Sequence, residues 1–193
     1  MKSRVTTKQG DQGQTRALSG DRYSKSHLIM ECVGSVDELR AQTALVRLLV
    51  LQEKPQAHEH IAEFLFWLLH TYFLVGTECS DPMVKHPEYR KAALAQTHVD
   101  RLEAEQMDME AKLKLSRKFI VSASNVVSAH VDIAATLARR LERNVVRLKE
   151  AYPEFDVTLL LIYLNRLSDT LYILARYLDG KSITPVDYSV LER

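Results

Sequence analysis

The chain has little of what most directly reveals a function. It carries two cysteines, Cys32 and Cys79, each in an apolar stretch with helical spacing. That excludes a disulfide framework and points to buried thiols of a cytoplasmic protein. Glycine (six) and proline (five) are scarce, so few points force a regular element to stop. No sign of charge prevails: 26 Lys and Arg face 25 Asp and Glu, which gives no general pull toward nucleic acid or an anionic membrane. Any anion site must therefore be a local cluster. The longest apolar run, 61–75, is too short to span a bilayer and contains His70. Met1 to Gln14 is polar throughout, unlike a secretory leader.

What is present is apolar residue, 46% of the chain, laid out with the period of helices. Residues 1–25 are a polar, turn-rich arm. From about His27 the texture changes, and Cys32, Val36, Leu39, Thr43, Val46 and Val50 form a seam that ends near Lys54-Pro55. A second helix is expected from about Gln56 to Ser80, with Ile61, Leu65, Leu68, Tyr72 and Val75 on one face. A third should run for about 25 residues from Pro87 to near Lys114, with Val99, Leu102, Met109 and Leu113 inward. The fourth covers about Ser124 to Ala151 and the fifth about Glu154 to Asp179, where Gly180 is placed as a cap. Only Phe119 to Val121 resembles a strand, and 181–193 is a tail without pattern. The expectation is a single all-α domain, 1–193: an antiparallel five-helix bundle over 26–180 with an irregular N-terminal arm. Helices of about 25 residues span roughly 37 Å, and self-association would cover their free apolar flanks.

Three stretches do not read as core. Arg139, Arg140, Glu142 and Arg143 lie beside the seam of helix four, as does Tyr163 to Asp169 on helix five. They form either a salt-bridged flank or one wall of a site. The arm sets Gly10, Gly13 and Gly20 among Lys8, Arg16, Arg22 and Lys25. Turned backbone N–H groups plus cations are the ingredients of a polyphosphate cradle, and equally of a solvated tail. No Gly-Lys-Ser/Thr triplet makes it a Walker loop. Gly34, inside the first helix, implies close approach of a backbone or ligand, or a tight helix crossing. The seven histidines show no zinc-like spacing, no Glu-x-x-His pair exists for a di-iron bundle, and no Ser or Cys sits in a nucleophile elbow. The aromatics around Trp67 lack the interleaved basic residues of a nucleic-acid groove.

Taken together, Thr7-Lys8-x-Gly10-Asp11-x-Gly13-x-Thr15 with Ser24-Lys25, then Glu31-x-x-Gly34-x-x-Asp37-Glu38-Leu39, then Arg139-Arg140-x-Glu142-Arg143 followed by Tyr163-Leu164-Asn165-Arg166-Leu167-Ser168-Asp169 and Ala175-Arg176-Tyr177 resemble one family, the PduO-type ATP:cob(I)alamin adenosyltransferases. The resemblance spans about residues 4–179. It implies a homotrimer with sites at subunit interfaces, in which cobalt(I) of a reduced corrinoid attacks the 5′ carbon of ATP and triphosphate leaves. It implies Mg²⁺ with the ATP, cobalamin as the corrinoid, and a reductase or B12-dependent enzyme as a protein partner, with no nucleic acid, membrane or protein-held metal. Thr7, Lys8, Gln9, Gly10, Thr15, Arg16 and Lys25 would wrap the triphosphate. Arg139, Arg140, Glu142, Arg143 and Asn165 would complete the nucleotide site from a neighbouring subunit, and Phe119 would lie against the corrin's lower face. Lys25, Asp37 and Arg139 are the residues implied to act in catalysis.

The chain also departs from the family. Ser122-Ala123-Ser124-Asn125 stands where the family has Pro-Gly-Gly, and Ala135 where it has an arginine that pairs with the equivalent of Asp37. Asp37 must then be wetter, protonated, or paired with another cation such as Arg139 or the non-family Arg40. A non-catalytic ATP- or corrinoid-binding trimeric paralogue with a regulatory or carrier role is the alternative that these departures allow. A helical oligomerisation protein without ligand is the third, and the basic, glycine-rich arm argues against it.

Overall fold

A computed structural model describes residues 6, 8–53, 58–115, 118–180 and 184–192. Five helices follow the expected order: α1 (Leu28–Glu53), α2 (Glu59–Ser80), α3 (Gln96–Glu110), α4 (Val126–Ala151) and α5 (Thr158–Asp179). Every seam residue named above for α1 and α2 is buried; α4 buries Val127, Val131, Ala134, Ala138, Leu141, Val145 and Leu148, and α5 buries Leu160, Leu164, Leu167, Leu171 and Leu174. Burial of one such side chain is worth about 1.5–3 kcal/mol, so the apolar periodicity dictates which face of each helix turns inward.

Neighbours are read from side-chain partners. Asn144 Nδ2 donates to Ser35 Oγ (2.9 Å) and Gln42 reaches His130, so α1 and α4 run antiparallel. Arg40 and Arg47 stack on Phe73 and Phe66, which sets α1 against α2 the same way. Arg101 over Trp67 and His60 with Glu105 (2.7 Å) tie α2 to α3. Glu103 with Arg166 and Gln106 with Thr170 join α3 to α5 in the same direction. The helices alternate along the chain but close a ring. Five is odd, so one adjacent pair has to be parallel, and α3 with α5 is that pair.

Helix α3 is 15 residues long, shorter than the 25 expected. Pro87–Tyr89 forms a separate 3-10 turn. Residues 90–95 are held open by tertiary bonds: Leu94 N donates to Glu78 Oε1 (3.2 Å), and Arg90 donates to the Asp81 carbonyl. These two hydrogen bonds to the end of α2 and the turn after it, with the burial of Leu94, thus outweigh the helix propensity of Ala92-Ala93-Leu94.

Four short strands accompany the bundle. β1 (Gln14–Arg16) and β2 (Arg22–Ser24) make a hairpin within the arm, and β3 (Ile120–Val121) pairs with β4 (Thr184–Pro185) from the tail. Tail and arm thus carry structure where the sequence pattern shows none.

The Ser122–Asn125 departure serves as a helix start. Asn125 caps α4 by accepting from Ser128 N (2.9 Å) and donates to the Leu178 carbonyl (2.9 Å), linking the beginning of α4 to the end of α5. Ser124 N and Oγ both donate to Asp179 Oδ1 at 2.7 Å. Asp179 in turn meets Arg176 (3.0 Å), which also binds Asp132 (2.7 Å). Asn125→Ala removes both bonds and is expected to cost about 1–2 kcal/mol in urea unfolding with an unchanged slope. An unaltered midpoint would show that the cap contributes nothing.

Candidate functional site

The arm takes its shape from its glycines. Gly13 (φ 75°) and Gly20 (φ 91°) adopt left-handed backbone open chiefly to glycine. Gly13 N donates to the Gly10 carbonyl (3.2 Å), and the Gly13 carbonyl accepts from Lys25 N (2.8 Å), which folds loop 8–13 back onto the approach to α1. Gly10 meets a different demand: a Cβ there would stand 3.1 Å from Lys25 Nζ. The lysine head therefore rests against bare backbone.

These turns enclose a cleft of about 960 Å³ lined by Lys8, Gln9, Gly10, Thr15, Arg16 and Lys25, and by Arg22 from the facing strand. Four cations (Lys8, Arg16, Arg22, Lys25) confront one carboxylate, Asp11. Arg16 and Arg22 are directly opposed in the β1–β2 register. Like charges so placed repel, and a polyanion between them would relieve the repulsion. Thr7 lies outside the described residues.

A second group stands on α4 and α5. Arg139, Arg140 and Arg143 are exposed beside the buried seam, with Glu142 half-buried. Among the described residues Arg139 and Arg143, one turn apart, engage no carboxylate, whereas Arg140 is ion-paired with Glu38 of α1. Asn165 Nδ2 reaches Glu142 Oε1 (3.5 Å), and its Oδ1 accepts from Arg166 (3.1 Å), itself anchored to Glu103. The Asn165 amide is thus oriented from both ends. No hydrogen bond or ion pair among the described residues connects this group to the arm. Within one chain the two expected halves of the nucleotide site do not meet.

Asp37 pairs with Arg40 (2.9 Å), three residues on along α1, and not with Arg139. The pair is half exposed, and the Arg40 guanidinium also lies 4.8 Å above the Phe73 ring. Of the alternatives left by Ala135, Arg40 is therefore the one realised. Ala135 itself is buried against the core. Gly34 meets nothing within 4 Å of an added Cβ, so a tight crossing inside the chain is not its reason. Phe119 is 82% exposed immediately before β3, with its carbonyl accepting from Val186 N (2.9 Å). Of the aromatics around Trp67, Phe64 and Tyr72 are buried while Phe66 and Phe73 are exposed.

Sequence reasoning missed Glu38 as the partner of Arg140, and the full burial of Arg176 between two aspartates. The latter had a signal: a lone arginine inside the Leu167–Leu174–Leu178 seam needs acids within reach.

A cation-lined glycine arm attached to a helical bundle that carries its own arginine ledge defines the class, a five-helix bundle with a basic N-terminal arm. Residues 5–178 match the model of the cobalamin adenosyltransferase family, and the chain belongs to that family. It is 33% identical over 177 residues to the corrinoid adenosyltransferase of Mycobacterium leprae, covering 90% of each chain. It is 33% identical over 186 residues to that of Bacillus subtilis, covering 96% of this chain and 92% of the other. Its fold is shared with a variant PduO-type ATP:corrinoid adenosyltransferase from Lactobacillus reuteri complexed with cobalamin and ATP. The TM-score is 0.82 at 23% identity over 95% of this chain and 96% of that one.

Proposed function

We propose that this protein transfers the 5′-deoxyadenosyl group of ATP to the cobalt of a reduced corrinoid, releasing triphosphate. The observation that carries the reading is the four-cation cleft of the arm in a chain of this family. In the transfer, the electron pair of cobalt(I) forms the Co–C bond while the C5′–O bond breaks, and its electrons leave with the triphosphate. Negative charge grows on that leaving oxygen, so cations fixed beforehand lower the barrier more than mobile ones. Lys8, Arg16 and Lys25, with Gln9, Gly10 and Thr15 beside them, are assigned to the triphosphate, and Thr7 is assigned with them from the family pattern.

Arg139, Arg143, Glu142 and Asn165 are assigned to the nucleotide from a neighbouring copy. The arm and the ledge do not touch within one chain, and a homotrimer would bring them together. Arg140, held by Glu38, fixes α1 to α4 beneath that ledge. Phe119, a bare ring on a strand pair, is assigned to the corrin's lower face, and the Arg40-neutralised Asp37 to the adjoining wall.

Among the described residues no group of three His, Cys, Asp or Glu could hold a metal ion. Mg²⁺ is assigned to enter with ATP, which suits its preference for few protein ligands, and would offset charge on the leaving triphosphate. Among the described residues no helix is long and apolar enough to cross a membrane. The two buried, free thiols, of which Cys79 is pushed up by a hydrogen bond with Cys32 and by burial, suit the cytoplasm. A reductase that delivers cobalt(I) completes the assignment.

Anaerobic mixing of the protein with Mg-ATP and chemically reduced cobalamin should give the visible spectrum of a Co–C bond and one triphosphate per corrinoid. ATP binding without that spectrum would favour the non-catalytic paralogue. An absence of ATP binding would remove both readings.

A further inference from the structure

One charged contact ties the turn of the arm's hairpin to the bundle, beside the packing of Tyr23 on the core. His86 Nε2 lies 3.3 Å from Asp21 Oδ2, and among the described residues no other ion pair links residues 8–25 to the rest of the molecule. Asp21 belongs to the turn of the β1–β2 hairpin, where its carbonyl accepts from Ala17 N (2.9 Å) and its carboxylate from Ser19 Oγ (3.1 Å). The hairpin therefore moves with Asp21. His86 is held just as firmly from below. Asp81 accepts the backbone N–H of Lys85 and of His86, both at 2.9 Å, and Arg90 donates to the Asp81 carbonyl. Val84 in this loop stands at φ 49°, a left-handed conformation costly for a β-branched residue. The loop keeps that strain while presenting the imidazole to the arm.

We infer that His86 is a positioning residue for ATP: it clasps the arm to the bundle through Asp21, and it does so more strongly when protonated. The inference rests on the reading that the arm holds the nucleotide's phosphates. Histidine is the side chain that ordinarily changes charge between pH 5 and 8. Here the imidazole stands between two carboxylates, Asp21 on the arm and Glu88 on its own turn (3.4 Å from Nδ1), with Asp81 at its backbone. The ring of Tyr89 flanks it at 6.0 Å, Lys85 precedes it, and Tyr23 on β2 feels both Asp21 and Asp81. Acidic groups dominate that surround. Protonation turns the contact of a neutral ring with the Asp21 carboxylate into an ion pair and lowers the population of undocked arms. His27 supports the same hairpin from the other side, against Tyr23 (4.7 Å) and Tyr152.

The test is calorimetric titration of Mg-ATP, without corrinoid, into wild type, His86→Gln, Asp21→Asn and the double variant at about pH 6 and about pH 8.5. At the lower pH each single change is expected to weaken ATP by about three- to fivefold, the size of one partly exposed ion pair, with no further loss in the double. At the higher pH the ratio to wild type should fall below about twofold. Titration of ATP itself is common to every form and cancels in that ratio. A ratio independent of pH, or additive losses in the double variant, overturns the clasp while leaving ATP binding intact. A wild type that binds no ATP at either pH overturns the nucleotide reading first and the clasp with it.

Discussion

Arg139→Ala is expected to lower the turnover number about a hundredfold or more, with a melting temperature within roughly two degrees of wild type. Arg139 is exposed beside the seam, engages no carboxylate among the described residues, and leaves the packed Ala138 and Leu141 untouched. Its removal therefore opens no cavity and strands no buried partner. What disappears is a fixed positive charge at the place assigned to charge development, where loss of one donor typically costs about 2.7–4 kcal/mol of barrier. Lysine at 139 keeps the charge without the planar fork and should restore only part of the rate. Steady-state kinetics beside a thermal melt decide the matter. A drop of many degrees with normal turnover would return Arg139 to an ordinary salt-bridging flank.

Asp179→Asn is expected to have the opposite profile, a large stability loss that is felt far from the cleft. Arg176 is 1% exposed, its guanidinium shared between Asp132 (2.7 Å) and Asp179 (3.0 Å) and stacked on Tyr172. Neutralising Asp179 leaves a buried cation with half its counter-charge and turns an amide N–H toward it. Loss of a buried partner typically costs about 3–5 kcal/mol, here toward the lower end because Asp132 remains. For a chain of this size that is a fall of roughly 6–12 °C. Substituting Arg176, Asp132 and Asp179 together by apolar residues of similar volume should cost less than the single change, because no charge is then stranded.

The same site gives a pH signature. Desolvation would raise the Asp179 carboxyl, but hydrogen bonds from Ser128 and Ser124 and the charge of Arg176 outweigh it and hold the carboxyl below its ordinary value. A carboxylate depressed in the folded state contributes stability that is fully present above the unfolded value of about 3.9 and is lost as pH falls through the lower folded value. Wild type should therefore lose more stability than Asp179→Asn on acidification below about pH 4. Parallel acid curves for the two would show that Asp179 carries no such contribution.

The helices were legible because 3.6-residue periodicity is a strong signal in long elements, and Val127 through Leu148 repeats it without a break. Residues 90–95 were not, since Glu78 and Asp81, remote in sequence, decide that Leu94 turns in as a plug. The β1–β2 hairpin escaped because three-residue strands in a polar arm leave no period to detect. The glycines and cations of the arm did suggest a phosphate cradle, but Lys25 reaches Gly13 only through that hairpin. The pairing of Asp37 was legible only as a set of choices. Three residues apart on one helix face, Arg40 was always within reach, yet its anchor is Phe73 on a different helix, which spacing along α1 does not reveal.

The pairing of β3 with β4 has a consequence for biosynthesis. Ile120 and Val121 emerge from the ribosome long before Thr184 and Pro185, the residues that complete their ladder. Until then Phe119 lacks the neighbour that binds its carbonyl, so its stretch stays unpaired although all five helices precede that neighbour in the chain. The aromatic face of this molecule is consequently the last part to take shape, and a nascent chain released before Val186 would carry the bundle but not that finished surface.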